Sequence, residues 1–148
     1  MQELAGLDIA LSRTYLLALL NDEHVGVREA AARVLGKHKV TAAIAPLSEW
    51  LTVAEKDKRK VAAVALGDIG SPKAISALTR TLADPEPQVR IAAVEALGRI
   101  GGPDVVVPLT GRLDDKTGSV RQAATEQLLR VGDARAVIPL LDRLDDTS

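Results

Sequence analysis

The sequence predicts an all-α fold built as a solenoid, a stack of like helical units along one axis, and three observations carry that reading. Arg28, Arg59, Arg90 and Arg121 follow one another at steps of 31 residues. Leu35, Leu66, Leu97 and Leu128 keep the same step, and so do Gly36, Gly67 and Gly98. The chain is 47% apolar but only 1% aromatic, with no Phe, so its core must be filled by Ala, Leu, Val and Ile. Alanine and leucine favour helix, and small side chains suit thin layers of closely packed helices. Stacked units share one continuous core instead of closing separate ones. Residues 1–148 are therefore expected to form a single solenoid, whole or part of a longer array.

Each unit holds two helical patterns. Helix A carries Ile44, Leu47 and Leu51, then Ile75, Leu78 and Leu82, then Val106, Leu109 and Leu113, then Val137, Leu140 and Leu144. Spacings of three and four place these on one stripe of a helix. Helix B runs from the arginine to the glycine after the leucine. Ser71-Pro72 and Gly102-Pro103 put a proline at a first helical position, and Asp133 reads as an N-cap. Gly70, Gly101 and Gly132 stand where a left-handed residue would end helix B. The reading is A (about 5–20), B (25–37), A (41–52), B (57–69), A (73–83), B (88–100), A (104–113), B (119–131) and A (135–145). That is four pairs and a final unpaired helix.

Two columns ask for a local explanation. Pro46, Pro108 and Pro139 recur inside helix A, with Ala77 and Tyr15 in the same column. An interior proline costs roughly 3 kcal/mol, so a kink that wraps helix A around its neighbours is expected there. Gly36, Gly67 and Gly98 lie near the end of helix B, where a missing side chain permits close approach of the adjacent helix. Leu129 breaks that column.

Composition excludes several classes of function. Without cysteine there is neither a disulfide nor a thiolate metal site. Nineteen basic residues against 20 acidic ones give a net charge of −1 with no long run of either sign. Bulk charge therefore draws the chain to neither nucleic acid nor an anionic membrane. The first twenty residues lack a basic leader and carry Glu3, Asp8 and Arg13, which fits neither a signal peptide nor a membrane span. A cytoplasmic location is expected.

The pattern V-R-x-x-A-x-x-A-L-G-x-I-G, preceded by A-x-x-P-L-x-x-x-L, resembles the short HEAT-like repeat of phycobilin lyases and many bacterial and archaeal scaffold proteins. The resemblance spans nearly the whole chain and is strongest in Lys58–Gly102. Ankyrin and tetratricopeptide repeats match less well in period and in signature. It implies a right-handed α-solenoid of antiparallel helix pairs. It also implies a ladder in which each recurring arginine pairs with an aspartate six residues before it: Asp22–Arg28, Asp84–Arg90 and Asp115–Arg121. Val53 stands in place of the acid before Arg59, so a gap is expected there unless Glu55 or Asp57 substitutes.

A charge that recurs with the period of the fold serves the fold, so the arginines are read as structural rather than as anion binders. His24 and His38 have no second ligand at the i, i+4 spacing that puts two on one helix face. His38 shares a column with Ile69, Ile100 and Val131 and is expected to be partly buried. No Gly-rich phosphate loop, nucleophile elbow or metal-binding His-Glu pair is present. The expectation is no catalytic residue, no metal and no cofactor.

What remains is surface. On helix B three columns wander: Glu29/Lys60/Ile91/Gln122, Arg33/Val64/Glu95/Glu126 and Lys37/Asp68/Arg99/Arg130. Positions four apart form one exposed stripe per helix, and the resemblance implies that this stripe lines the concave, binding face. The candidate protein-binding residues are Arg33, Lys37, Lys60, Val64, Ile91, Glu95, Arg99, Gln122 and Glu126. Val64 and Ile91, with Val61 beside them, are the expected apolar centre, rimmed by Lys60, Glu95 and Arg99. A nucleic-acid groove would need a basic surface with stacking aromatics, which this stripe lacks.

Trp50, the only tryptophan, shares a column with Leu19, Thr81, Arg112 and Arg143, which places it at the outer edge of helix A, half-exposed or packed over a kink. The final helix has no helix B to cover Val137, Leu140, Leu141 and Leu144, so end-to-end association of two chains is expected as an option. The reading is a non-catalytic scaffold for a protein or peptide partner. A tetrapyrrole lyase or chaperone subunit, implied by the resemblance alone, and an engineered or fragmentary repeat protein without an evolved ligand are the alternatives.

Overall fold

The computed structural model describes residues 2–145, with the side chains of 10–133 and 135–142. Nine α-helices are found among them: α1 (Gln2–Leu19), α2 (Val25–Lys37), α3 (Ile44–Trp50), α4 (Lys56–Ile69), α5 (Ile75–Thr81), α6 (Pro87–Ile100), α7 (Val106–Thr110), α8 (Gly118–Val131) and α9 (Ala134–Asp145). No strand occurs among the described residues. Helices α1, α3, α5 and α7 each pack on the helix that follows, and α2, α4, α6 and α8 stack on one another in sequence order as an inner layer. This is an α-solenoid.

The repeating leucines explain the stack. Leu35, Leu66, Leu97 and Leu128 are all inaccessible to solvent, and so are Leu47, Leu78 and Leu109 of the outer helices. Alanines at 32, 62, 63, 93, 96 and 124 fill the space between them, also fully buried. The glycine column does what its lack of a side chain allows. A Cβ on Gly36 would lie 3.0 Å from Ala65 Cα, and one on Gly67 only 2.7 Å from Ala96 Cα. Gly98 abuts the side chain of Gln127 in the same way. Leu129, the fourth member, is 66% exposed.

Helix ends follow their local signals. Gly70, Gly101 and Gly132 adopt φ of 71°, 69° and 65° and close α4, α6 and α8. Lys39 holds the equivalent place after α2, with φ 53°. Asp133 Oδ1 accepts from the Arg135 amide at 2.9 Å and starts α9.

Helix A differs from expectation. Its middle copies begin with a 3-10 turn, at Thr41–Ala43, Pro72–Ala74 and Pro103–Val105, before the α-helical part. Pro46 and Pro108 are the third residues of α3 and α7, so the amide they lack falls in the first turn, where no α-helical partner is required. The α5 copy makes the same junction with Ala77 in that column. Pro46 and Pro108 are thus accommodated at a 3-10/α junction, whereas Pro139 of the same column stands inside α9.

The placement of four further side chains either departs from expectation or decides between two expectations. Trp50 is 5% exposed, its ring packed in the core and covered by Lys58 Nζ at 4.7 Å from the centroid. His38 is exposed, because α2 ends before it and turns through Lys39. Val64 and Ile91 are half-buried and pack against the core, not free on the surface. At the far end, Val137, Ile138 and Leu141 of α9 are exposed while Leu140 packs inward; Leu144 lies outside the described side chains.

Candidate functional site: a charged groove along the inner helices

The residues at 29, 33 and 37 of α2 lie one turn apart along a single face, as do 60, 64 and 68 of α4. Because α2 and α4 stack side by side, the two rows face each other across a groove of about 880 Å³. Glu29, Arg33 and Lys37 line one side, Asp57, Lys60, Val61, Val64 and Asp68 the other, and Lys39 closes one end. Val61 and Val64 lie half-buried against the core as an apolar floor; the remaining lining side chains are charged. Lys39 enters because its Nζ crosses to the carbonyl of Asp68 at 3.2 Å. A lysine where the other units have glycine was the signal available for it in the sequence.

Part of this charge is already engaged. Arg33 Nη2 meets Glu29 Oε2 at 3.1 Å within α2. Arg99 Nη1 of α6 reaches back one unit to Asp68 Oδ1 at 2.7 Å. Further along, Gln122 Nε2 donates to Glu126 Oε1 at 2.9 Å. Of the nine candidates from the sequence, Arg33, Lys37, Lys60 and Val64 line the groove. Ile91, Glu95, Arg99, Gln122 and Glu126 continue the stripe on α6 and α8 outside it. Glu29, Lys39, Asp57, Val61 and Asp68 complete the lining.

Beside the groove runs the arginine ladder, with a different connectivity from the one expected. Each arginine does reach back six residues, but to a backbone carbonyl: Arg28 Nη1 to Asp22 O at 2.7 Å, Arg59 to Val53 O at 3.0 Å, Arg90 to Asp84 O and Arg121 to Asp115 O, both at 2.8 Å. A carbonyl is available whatever the side chain, so Val53 leaves no gap at Arg59. The carboxylate comes instead from the following unit. Arg59 Nε and Nη2 clasp Asp84 at 2.7 and 3.0 Å, and Arg90 Nε and Nη2 clasp Asp115 at 3.0 and 2.9 Å. The same aspartates turn the chain into helix B, Asp84 Oδ1 accepting from the Glu86 amide and Asp115 Oδ1 from the Thr117 amide, both at 2.9 Å.

These pairs are buried, and their titration reflects it. Burial pushes the Asp84 carboxyl up, but the Arg59 hydrogen bond, the Glu86 amide and the charges of Arg59 and Arg90 outweigh it, leaving the group below its ordinary range. Asp115 follows the same balance: burial against the Arg90 hydrogen bond, the Thr117 amide and the Arg90 and Arg112 charges, with a net lowering. The Asp84 hydrogen bond raises Arg59 against the opposing effect of burial. Among the described residues no group of three or more His, Asp or Glu could hold a metal, and no helix is long and apolar enough to cross a membrane.

A stack of helix pairs with a groove along its inner helices is a helical-repeat scaffold. The chain belongs to the HEAT repeat family: the model of HEAT repeats matches residues 53–130 and 80–148, and that of the PBS lyase HEAT-like repeat matches residues 27–51. No curated protein matches the sequence. Among solved structures, an engineered protein is similar at 23% identity and a TM-score of 0.61, over 88% of this chain and 67% of its own. The complex of CpcE and CpcF of phycocyanin lyase from Nostoc sp. PCC7120 is similar at 23% identity and a TM-score of 0.55, over 80% of this chain. A second engineered protein is similar at 22% identity and a TM-score of 0.62, over 88% of this chain. This chain spans 64% of the lyase chain and 40% of the second engineered one. At these identities the likeness is one of fold.

Proposed function

We propose that the protein is a non-catalytic scaffold that binds a protein or peptide segment along the concave face made by its second helices, with the α2/α4 groove as the centre. The observation that carries this reading is the groove itself: an apolar floor of Val61 and Val64 inside a rim of charged side chains, the arrangement of a protein-binding patch. Its lining comes from the columns that vary from unit to unit while the core columns stay fixed. Variation between otherwise like units is what recognition of an asymmetric segment requires.

Because Val64 and Ile91 pack partly on the core, the test uses the exposed Lys37 and Lys60. A photo-crosslinking residue placed at 37 or 60 is expected to capture a defined partner segment that the same residue at exposed Ala45, on α3, does not. The segment so identified, as a synthetic peptide, should bind at least tenfold more weakly to the Lys37→Glu/Lys60→Glu variant at unchanged melting temperature. Equal crosslinking from position 45, or an affinity indifferent to the charge reversal, refutes the assignment.

A further inference from the structure

We propose that Arg28, with the small pocket it lines beside the groove, is a subsite for a carboxylate presented by a bound protein segment, which completes the first rung of the ladder. In the second and third units the Nε/Nη2 edge of the arginine holds an aspartate 25 residues further on. For Arg28 that position is Val53, which has no carboxylate to offer. Among the described residues Arg28 donates from Nη1 alone, to the carbonyls of Asp22 and Glu23 at 2.7 and 3.0 Å. It is thus held by the same backbone anchor as its equivalents, with the opposite edge of the guanidinium unmatched. A planar fork fixed in place is the preferred partner of a carboxylate.

Arg28 lines a pocket of about 200 Å³ together with Val25, Trp50, Glu55, Asp57 and Lys58. Glu29 and Asp57 line both this pocket and the groove, so a segment lying in the groove passes its mouth. Lys58 adds a second cation, in a column that is otherwise Val27, Val89 and Val120. Glu55 and Asp57 oppose an incoming anion. The second rung shows that such opposition is overcome: Glu86, the equivalent of Glu55, stands beside the Arg59–Asp84 pair, and the pair forms. The link to a groove-bound segment rests on the protein-binding reading above; the presence of the subsite is measured independently of it.

Trp50, the only tryptophan, lines the pocket and reports on it. N-acetyl-aspartate amide, with a side-chain carboxylate, and N-acetyl-alanine, with a terminal one, are titrated at constant ionic strength against N-acetyl-asparagine amide as the neutral isostere. At least one carboxylate probe should give a saturable change in Trp50 fluorescence and shift the Arg28 Nε–Hε resonance, and the tighter one names the source. Val53→Asp supplies the carboxylate from within the chain. It should raise the melting temperature by about 3–6 °C and weaken the probe at least tenfold. An Asn probe that binds as well as the Asp probe, or a Val53→Asp variant that folds and binds both probes like the wild type, overturns the proposal. Should that variant not fold, the wild-type Arg28 resonance decides alone: no shift beyond that of exposed Arg13 and Arg80 refutes it. Failure here with the crosslinking result intact removes the subsite and leaves the groove.

Discussion

Arg90 in α6 holds Asp115 of the following unit through two parallel hydrogen bonds, Nε to Oδ2 at 3.0 Å and Nη2 to Oδ1 at 2.9 Å, with both side chains almost wholly buried. Asp115 also caps the Thr117 amide. Replacing it by alanine leaves a buried guanidinium unpaired, which costs about 3–5 kcal/mol. Asp22, which caps the His24 amide in the same way but clasps no arginine side chain among the described residues, should cost only about 1 kcal/mol on the same change. Urea unfolding of the two alanine variants measures the difference, and equal losses would show that the cap, not the pair, is what matters.

Acid should unfold the protein through the same residues. The carboxyls of Asp84 and Asp115 lie below their ordinary range in the folded state. A group with a lowered folded pKa contributes stability above its unfolded value, about 3.9 for Asp, and loses it as pH falls through the folded value. Stability should therefore be flat towards neutral pH and decline with acidification below about pH 5. An Asp84→Asn/Asp115→Asn variant, once unfolded curves are normalised, should decline less steeply. A matching slope in the variant would place the acid sensitivity elsewhere.

The glycine column predicts opposite signs for one substitution at two sites. Gly67→Ala sets a Cβ 2.7 Å from the Ala96 backbone, so α4 and α6 must part, at about 1–3 kcal/mol. Gly26→Ala, in the first turn of α2, meets nothing within 4 Å and should stabilise by up to about 1 kcal/mol through helix propensity. Thermal melts of both variants test the pair of signs.

Lys39 adopts φ 53° where the other units use glycine. Lys39→Gly removes roughly 1 kcal/mol of backbone strain and forfeits the exposed hydrogen bond to the Asp68 carbonyl. The net expectation is a slightly more stable protein whose groove has lost one cation. A clear loss of stability in denaturant would mean that the bridge to α4 outweighs the strain.

Most of the architecture was legible from the chain because its signals are local. Gly70, Gly101, Gly132 and Asp133 mark helix ends by their own backbone preferences, and the helix B limits agree with the structure to within a residue. The ladder was misread for a reason built into periodicity. An aspartate six residues before one arginine also lies 25 residues after the previous one, so spacing alone cannot assign it to a unit. For Trp50 the column of Leu19, Thr81, Arg112 and Arg143 left a half-exposed and a packed placement open, and nothing in the sequence shows that Lys58 folds over its ring. For the groove, the stripe on α2 and α4 was legible from the columns that vary. Its limits were not, since they depend on Asp68 being drawn towards α6 and on the strained turn at Lys39.

Because each rung takes its cation from one unit and its anion from the next, the chain should tolerate excision of whole periods, provided the cut falls in the right place. Deleting residues 53–83 joins Thr52 to Asp84 and sets that aspartate at the distance from Arg28 that Asp115 keeps from Arg90. The shortened protein would inherit an unbroken series of clasps that its parent lacks, whereas a deletion of equal length beginning one residue later would carry Val53 along with it.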